Sequence, residues 1–144
     1  MSRIISYRGK LADDAQDLIP LHTNDGKTGY KVIKFELLPA NPGTESYENV
    51  VKIYKIAQTA NTGTIDFSDL TLVGAAYLSG STSAINPEDL SVIFDNEVFN
   101  QDIYVTHQDN AGTQPVNYYI ELEQVNLTED QALVAIVKNL RNEQ

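Results

Sequence analysis

The chain has 144 residues, 42% of them hydrophobic and 21% charged, with a net charge of −10 and no cysteine. That size and balance suit one globular domain with a core of its own, and the lack of Cys excludes disulfides, thiolate nucleophiles and zinc–thiolate sites. No Lys or Arg lies between Lys55 and Lys138, a gap of 82 residues holding twelve Asp and Glu, so nucleic acid, which is gripped through clustered cations, is not expected as a partner.

The first residues, "MSRIISYRGKLADD", contain no apolar signal-peptide core, so secretion is not expected. No apolar run approaches the roughly 20 residues of a membrane helix, and no membrane partner is expected either. "RIISYRG" and "DLIPL" read as short edge strands. "TNDGK" carries an Asp-Gly pair suited to a tight turn. The following "TGYKVIKFELLP" (28–39) alternates, with Ile33, Phe35 and Leu37 on one face and Lys34 and Glu36 on the other. Pro39 ends that ladder, and "PANPGTES" is a loop.

"ENVVKIYKIAQT" (48–59) is a second long strand, rich in β-branched residues. "LTLVGAAYLSG" (70–80) is a third, in which Gly74 marks a bulge or a close backbone approach. "LSVIF", "DIYVTH" and "VNYYIELEQVNL" follow, and "DNAGTQP" between the last two reads as a hairpin connection. The end of the chain changes period. Thr128 followed by Gln131 makes a capping box, and Leu133, Ile136, Val137 and Leu140 repeat at helical spacing. A C-terminal amphipathic helix over 128–142 is expected. Period-two segments with no βαβ rhythm predict a mainly β fold: a single antiparallel β-sandwich or jelly-roll-like domain over residues 1–144.

Candidate chemistry is sparse. Glu121 and Glu123 share one strand face, about 7 Å apart, within the range that glycoside hydrolysis uses. Opposite Tyr118, Ile120 and Leu122, they read as the wet side of a strand. Asp95, Glu97 and Asp102 are hard-oxygen groups of the kind calcium takes, but lack the spacing of an EF-hand loop and read as turn carboxylates facing water. His107 closes "IYVTH" and is expected at a surface or edge rather than as a base. His22 is the other histidine, too few for a His-based metal centre. Asn126 begins a formal glycosylation sequon, read here as a helix entrance. No phosphate loop or nucleophile elbow occurs. Tyr77, Tyr104 and Tyr119, on the less apolar faces of their strands, are candidates for subunit contact. No catalytic, cofactor-binding or metal-binding residue is assigned, and no cofactor is expected.

"DGKTGYKVIKFELLP", "VVKIYKIAQT" with "TIDFSD", "IFDNEVFNQDIYVTH" and "NYYIELEQVNLTEDQALVAIVKNLRN" together resemble small virion structural proteins of tailed phages of marine bacteria, the pelagiphages and cyanophages. The resemblance covers most of the chain after about residue 25 and lies in segment order, so it carries over no functional residues. It implies a non-enzymatic virion component, foremost a capsid decoration (cement) protein. Its partners would be the major capsid protein or other virion proteins, together with further copies of itself. The alternatives are a tail, knob or fibre component contacting host glycans, and a carbohydrate-active or calcium-binding β-sandwich. The charge asymmetry suggests that residues 56–137 face solvent while Arg3, Arg8, Lys10, Lys138 and Arg141 dock onto a shell.

Overall fold

Side-chain alternation is the organising feature of the computed structural model, which describes residues 3–21, 27–43, 45–81 and 89–127. Its strands are β1 (Arg3–Leu11), β2 (Ala15–Ile19), β3 (Thr28–Pro39), β4 (Tyr47–Tyr54), β5 (Leu72–Gly80), β6 (Asp89–Phe94), β7 (Ile103–Asp109) and β8 (Val116–Asn126). They form two antiparallel sheets, β1-β8-β3 (sheet A) and β2-β7-β4-β5-β6 (sheet B). The sheets bury their facing sides against each other as a sandwich. Ile120 and Leu122 from sheet A are fully buried, as are Val51, Ile53, Ile103 and Val105 from sheet B.

The chain wraps as nested pairs. β1 pairs with β8, β2 with β7 and β4 with β5, and β3 lies against β6 across the sandwich. Both expected N-terminal strands are indeed edges, one of each sheet. Nesting also corrects one expectation. Residues 110–115 do not close a hairpin: β7 pairs with β2 and β4, whereas β8 pairs with β1 and β3. The segment carries the chain from one sheet to the other. The expected C-terminal helix and the Asp-Gly turn lie outside the described residues.

Two local irregularities shape the strands. In β3, Val32 pairs with Leu122 and Lys34 with Glu121, so Ile33 is the extra residue of a bulge. Val32, Phe35 and Leu37 face the core, and Ile33 is only half-buried. In β5 the register shifts beside Gly74, as the sequence suggested. A Cβ on Gly74 would stand 3.1 Å from Cβ of Phe94, the residue opposite it on β6.

A polar bridge crosses the core near one end. The Tyr118 hydroxyl on β8 donates to Oδ2 of Asp17 on β2 at 2.9 Å. Burial, then the bond and the charge of Asp17, push the Tyr118 hydroxyl pKa well up. Gly9, opposite Tyr118, gives the ring its space, since a Cβ there would sit 2.9 Å from the ring. Tyr118→Phe is expected to lower stability by about 1.5 kcal/mol, read as a shift in urea midpoint at unchanged slope.

Candidate functional site

Of the carboxylates singled out from the sequence, Glu97, Asp102, Glu121 and Glu123 each have a structural partner. Glu123 lies opposite Lys31 and Glu121 opposite Lys34 in the β3–β8 ladder, each pair at 3.9 Å. Lys34 also approaches Glu36 at 3.7 Å, and Tyr119 donates its hydroxyl to Glu121 at 2.9 Å. These are partly exposed ladder pairs, worth little each. Their neighbours Tyr118, Ile120 and Leu122 point into the core, so this part of the reading holds.

Asp95, Glu97 and Asp102 lie on the crossing from β6 to β7, residues 95–102. That crossing spans one end of the sandwich and bridges to β3 through paired backbone bonds between Phe99 and Tyr30, at 2.7 and 2.8 Å. Phe99 is fully buried beneath it. The acids separate along its length. Asp95 is exposed, Asp102 accepts the Leu21 amide at 2.8 Å, and Glu97 accepts Lys55 Nζ at 2.8 Å. Among the described residues no three His, Asp or Glu gather as a metal-ligand set.

His107 overturns its expectation. It is fully buried, because β7 runs two residues further, to Asp109, and places His107 between β2 and β4. Its Nδ1 lies 3.0 Å from the Ala12 carbonyl and its Nε2 lies 2.8 Å from Oδ1 of Asn49. Ala12 O can only accept, so Nδ1 carries a proton. An Asn49 amide presenting Nδ2 to Nε2 satisfies a neutral ring. It also gives a partner to that nitrogen, otherwise unbonded in its buried site. The histidine is a core hydrogen-bonding residue.

The outer faces of the two sheets differ. On sheet B, residues 55–71 fold back over the strands and bury Val50, Lys52 and Thr106. Lys52 Nζ donates to Thr62 Oγ1 at 3.2 Å and Thr64 O at 2.7 Å, 5.4 Å from the Tyr54 ring centre. Burial lowers the Lys52 pKa and nearby Asp69 opposes that in part; the Tyr54 hydroxyl is pushed up to about 12, by burial and then by Asp69 and Asp66. Gln16 and Gln58 bond reciprocally at 3.2 and 2.8 Å, fastening the same segment to β2. Its tip presents Phe67 and Leu70 to solvent, 65% and 66% exposed.

Sheet A has an open groove of about 740 Å³ on its outer face, lined by Arg8, Lys10, Lys34, Glu36, Leu38 and Tyr119, among others. Alternation sets this: Arg8 and Lys10 point outward from β1 while Tyr7 and Leu11 point in. Lys34 Nζ stands 5.9 Å from the Tyr119 ring centre, a cation–aromatic contact at the edge of the useful range. Among the described residues Arg8 and Lys10 form no ion pair. Of the five cations expected to dock onto a shell, Arg8 and Lys10 lie together at this groove and Arg3 lies away from it. Arg3 pairs with Gln124 and Lys10 with Asn117, about 23 Å apart along β1, and Lys138 and Arg141 lie outside the described residues. Lys34, from another strand, lies beside Arg8 and Lys10 in the groove. Tyr119 lies in this groove, and Tyr77 and Tyr104 are half-buried on the outer side of sheet B.

Sequence reasoning passed over Lys52, Phe67, Leu70 and Leu38. The first three carried a signal. Lys52 interrupts the apolar "NVVKIY", and "DFSDLT" is two Asp–apolar–Ser/Thr triplets in succession. The class that the fold defines is a two-sheet antiparallel β-sandwich. No protein-family model matches the chain, and no curated protein matches it.

Proposed function

We propose that this chain is a structural protein of a tailed-phage virion, foremost a capsid decoration protein that binds the assembled shell and catalyses nothing. The observation carrying the proposal is the nested pairing of β1 with β8, β2 with β7 and β4 with β5. It supports a jelly-roll reading of the sandwich, a wrapping used in viral capsid domains. That warrant is analogy at the level of fold, and the resemblance of the segments to marine-phage virion proteins adds to it. The side chains add a third support. Glu97, Asp102, Glu121, Glu123 and His107 are engaged in holding strands and crossings, while the groove and the Phe67–Leu70 tip are surfaces for contact.

Such a protein binds shells and not free subunits, and stabilises the assembled state by mass action. Its partner is then the major capsid protein, and its location is the virion, assembled in the host cytoplasm. Purified protein mixed with assembled shells is expected to co-sediment with them and to leave isolated capsid subunits unbound. A protein that ignores shells, or that cryo-electron microscopy locates on the tail, overturns the decoration role. The tail result would favour the second reading, a fibre or knob component contacting host glycans, since lectin domains share the same wrapping.

A further inference from the structure

Two surface features of the described residues, the Phe67–Leu70 turns and the sheet A groove, are complementary. At the tip of residues 55–71, Oδ1 of Asp66 accepts the Ser68 amide and hydroxyl at 2.9 and 2.5 Å, and Oδ1 of Asp69 accepts the Thr71 amide and hydroxyl at 2.9 and 2.6 Å. Each triplet is a closed Asx-type turn. Backbone bonds from Asp69 N to Asp66 O and from Leu72 N to Asp69 O join them in series. The central residue of each turn is the exposed one, Phe67 in the first and Leu70 in the second. A knob of two apolar side chains is thus held in place before any contact, which removes an ordering cost from binding. Its charged residues are both acidic. The Asp66 carboxyl is held below its usual range, first by the Ser68 hydroxyl and then by the Ser68 amide.

The groove on sheet A has the opposite character. Arg8, Lys10 and Lys34 outnumber Glu36, and Leu38 and Tyr119 supply apolar and aromatic surface between them. At about 740 Å³ it lies inside the ~300–1,000 Å³ range that seats compact ligands. Knob and groove also sit at opposite places on the sandwich. The groove is at the end where Leu11 and Pro39 pair with Val116, on the outer side of sheet A. The knob leads into β5 at Leu72, opposite Tyr54 at the other end of sheet B, and belongs to the segment covering that sheet's outer side. One molecule cannot join the two. Successive molecules can.

We propose that Phe67 and Leu70 of one copy seat in the Arg8–Lys10–Lys34 groove of the next, so that copies associate head to tail. The contact is heterologous, and repeats into a closed ring or an open row according to the rotation between neighbours. It concerns the chain's contact with itself and stands apart from the capsid reading: either can fail without the other.

The test uses the purified full chain in analytical ultracentrifugation at low salt. The knob variant is Phe67→Ser with Leu70→Ser, and the groove variant is Arg8→Glu with Lys10→Glu. All four positions are exposed, and Leu38→Asp is a second groove variant should the charge reversal impair folding. Wild type is expected to gain mass with concentration, and each variant to associate at least about 30-fold more weakly, the contribution of an anchor residue. An equimolar mixture of knob and groove variants retains one intact junction per pair, and is expected to stop at a dimer. Wild type that stays monomeric at about 1 mM, variants that associate like wild type, or a mixture that stays monomeric would each overturn the proposal.

Discussion

Asp109→Ala is expected to remove about 4 kcal/mol of stability, and Asp109→Asn about half that, because several buried amides converge on one carboxylate. Asp109 is 2% exposed at the end of β7. Its Oδ1 accepts Glu48 N at 2.9 Å and Ala111 N at 3.0 Å, and its Oδ2 accepts Gln114 N at 2.8 Å. Its own amide donates to Oδ1 of Asp13 at 2.7 Å. The Asp109 side chain therefore fixes the start of β4 and the crossing from sheet B to sheet A, while its backbone amide ties in the turn between β1 and β2. Burial alone would push its carboxyl pKa up, but the amides of Glu48, Gln114, Ala111 and Gly112 together outweigh burial and hold it below the usual range.

The pH dependence follows from that direction. A carboxyl depressed in the folded state contributes stability that is fully present above the unfolded value of about 4. The contribution is lost as pH falls through the lower folded value. The gap between wild type and Asp109→Asn is therefore expected to be widest near pH 7 and to narrow steadily below about pH 4. Urea unfolding at pH 7 and pH 3 measures both gaps. A gap that stays constant would mean that Asp109 acts by shape alone.

The second large effect is expected at the Lys55–Glu97 pair. The Lys55 side chain is 1% exposed and its ammonium contacts Glu97 at 2.8 Å. Glu97→Ala leaves a buried cation without its counter-ion and is expected to cost about 3 kcal/mol. Replacing both partners, Lys55→Met with Glu97→Leu, is expected to stay within about 1 kcal/mol of wild type, since neither charge then needs solvating. The pair joins the start of residues 55–71 to the crossing at 95–102, which Gln101 Nε2 also fastens by donating to the Lys55 carbonyl. A thermodynamic cycle over Lys55→Met, Glu97→Leu and their double reads the coupling. Additive effects would reduce the pair to a surface contact.

Much of the fold was legible because strands carry their burial pattern in every second residue. β8 is the clearest case: Tyr118, Ile120 and Leu122 are dry while Glu121 and Glu123 meet Lys34 and Lys31. Gly74 was legible for a related reason, as a residue without Cβ inside an apolar strand calls for a close neighbour, here Phe94. Ile33 was misassigned because the alternation breaks at a bulge, and a bulge depends on the partner strand's register. His107 was misplaced because an isolated polar residue near a strand end reads as exposed. Its burial depends on Asn49 and the Ala12 carbonyl, 58 and 95 residues away in sequence. The groove was half legible. Arg8 and Lys10 stood out, while Lys34 and Tyr119 reached them only through the pairing of β8 with both β1 and β3.

By itself, then, the sequence determined that this is a chain of strands, which side of most of them is dry, and that its acids are spread too thinly in one dimension to spell a known motif. Those properties are local, set by a backbone whose side chains alternate every residue. Which strands become neighbours was decided by the tertiary structure alone. Pairing β1 with β8 and β2 with β7 satisfies backbone hydrogen bonds and buries apolar faces between segments about a hundred residues apart, and no local pattern encodes a partner at that distance. The same long-range pairing gathered Arg8, Lys10 and Lys34 on one face and folded residues 55–71 over the other, leaving Phe67 and Leu70 outside.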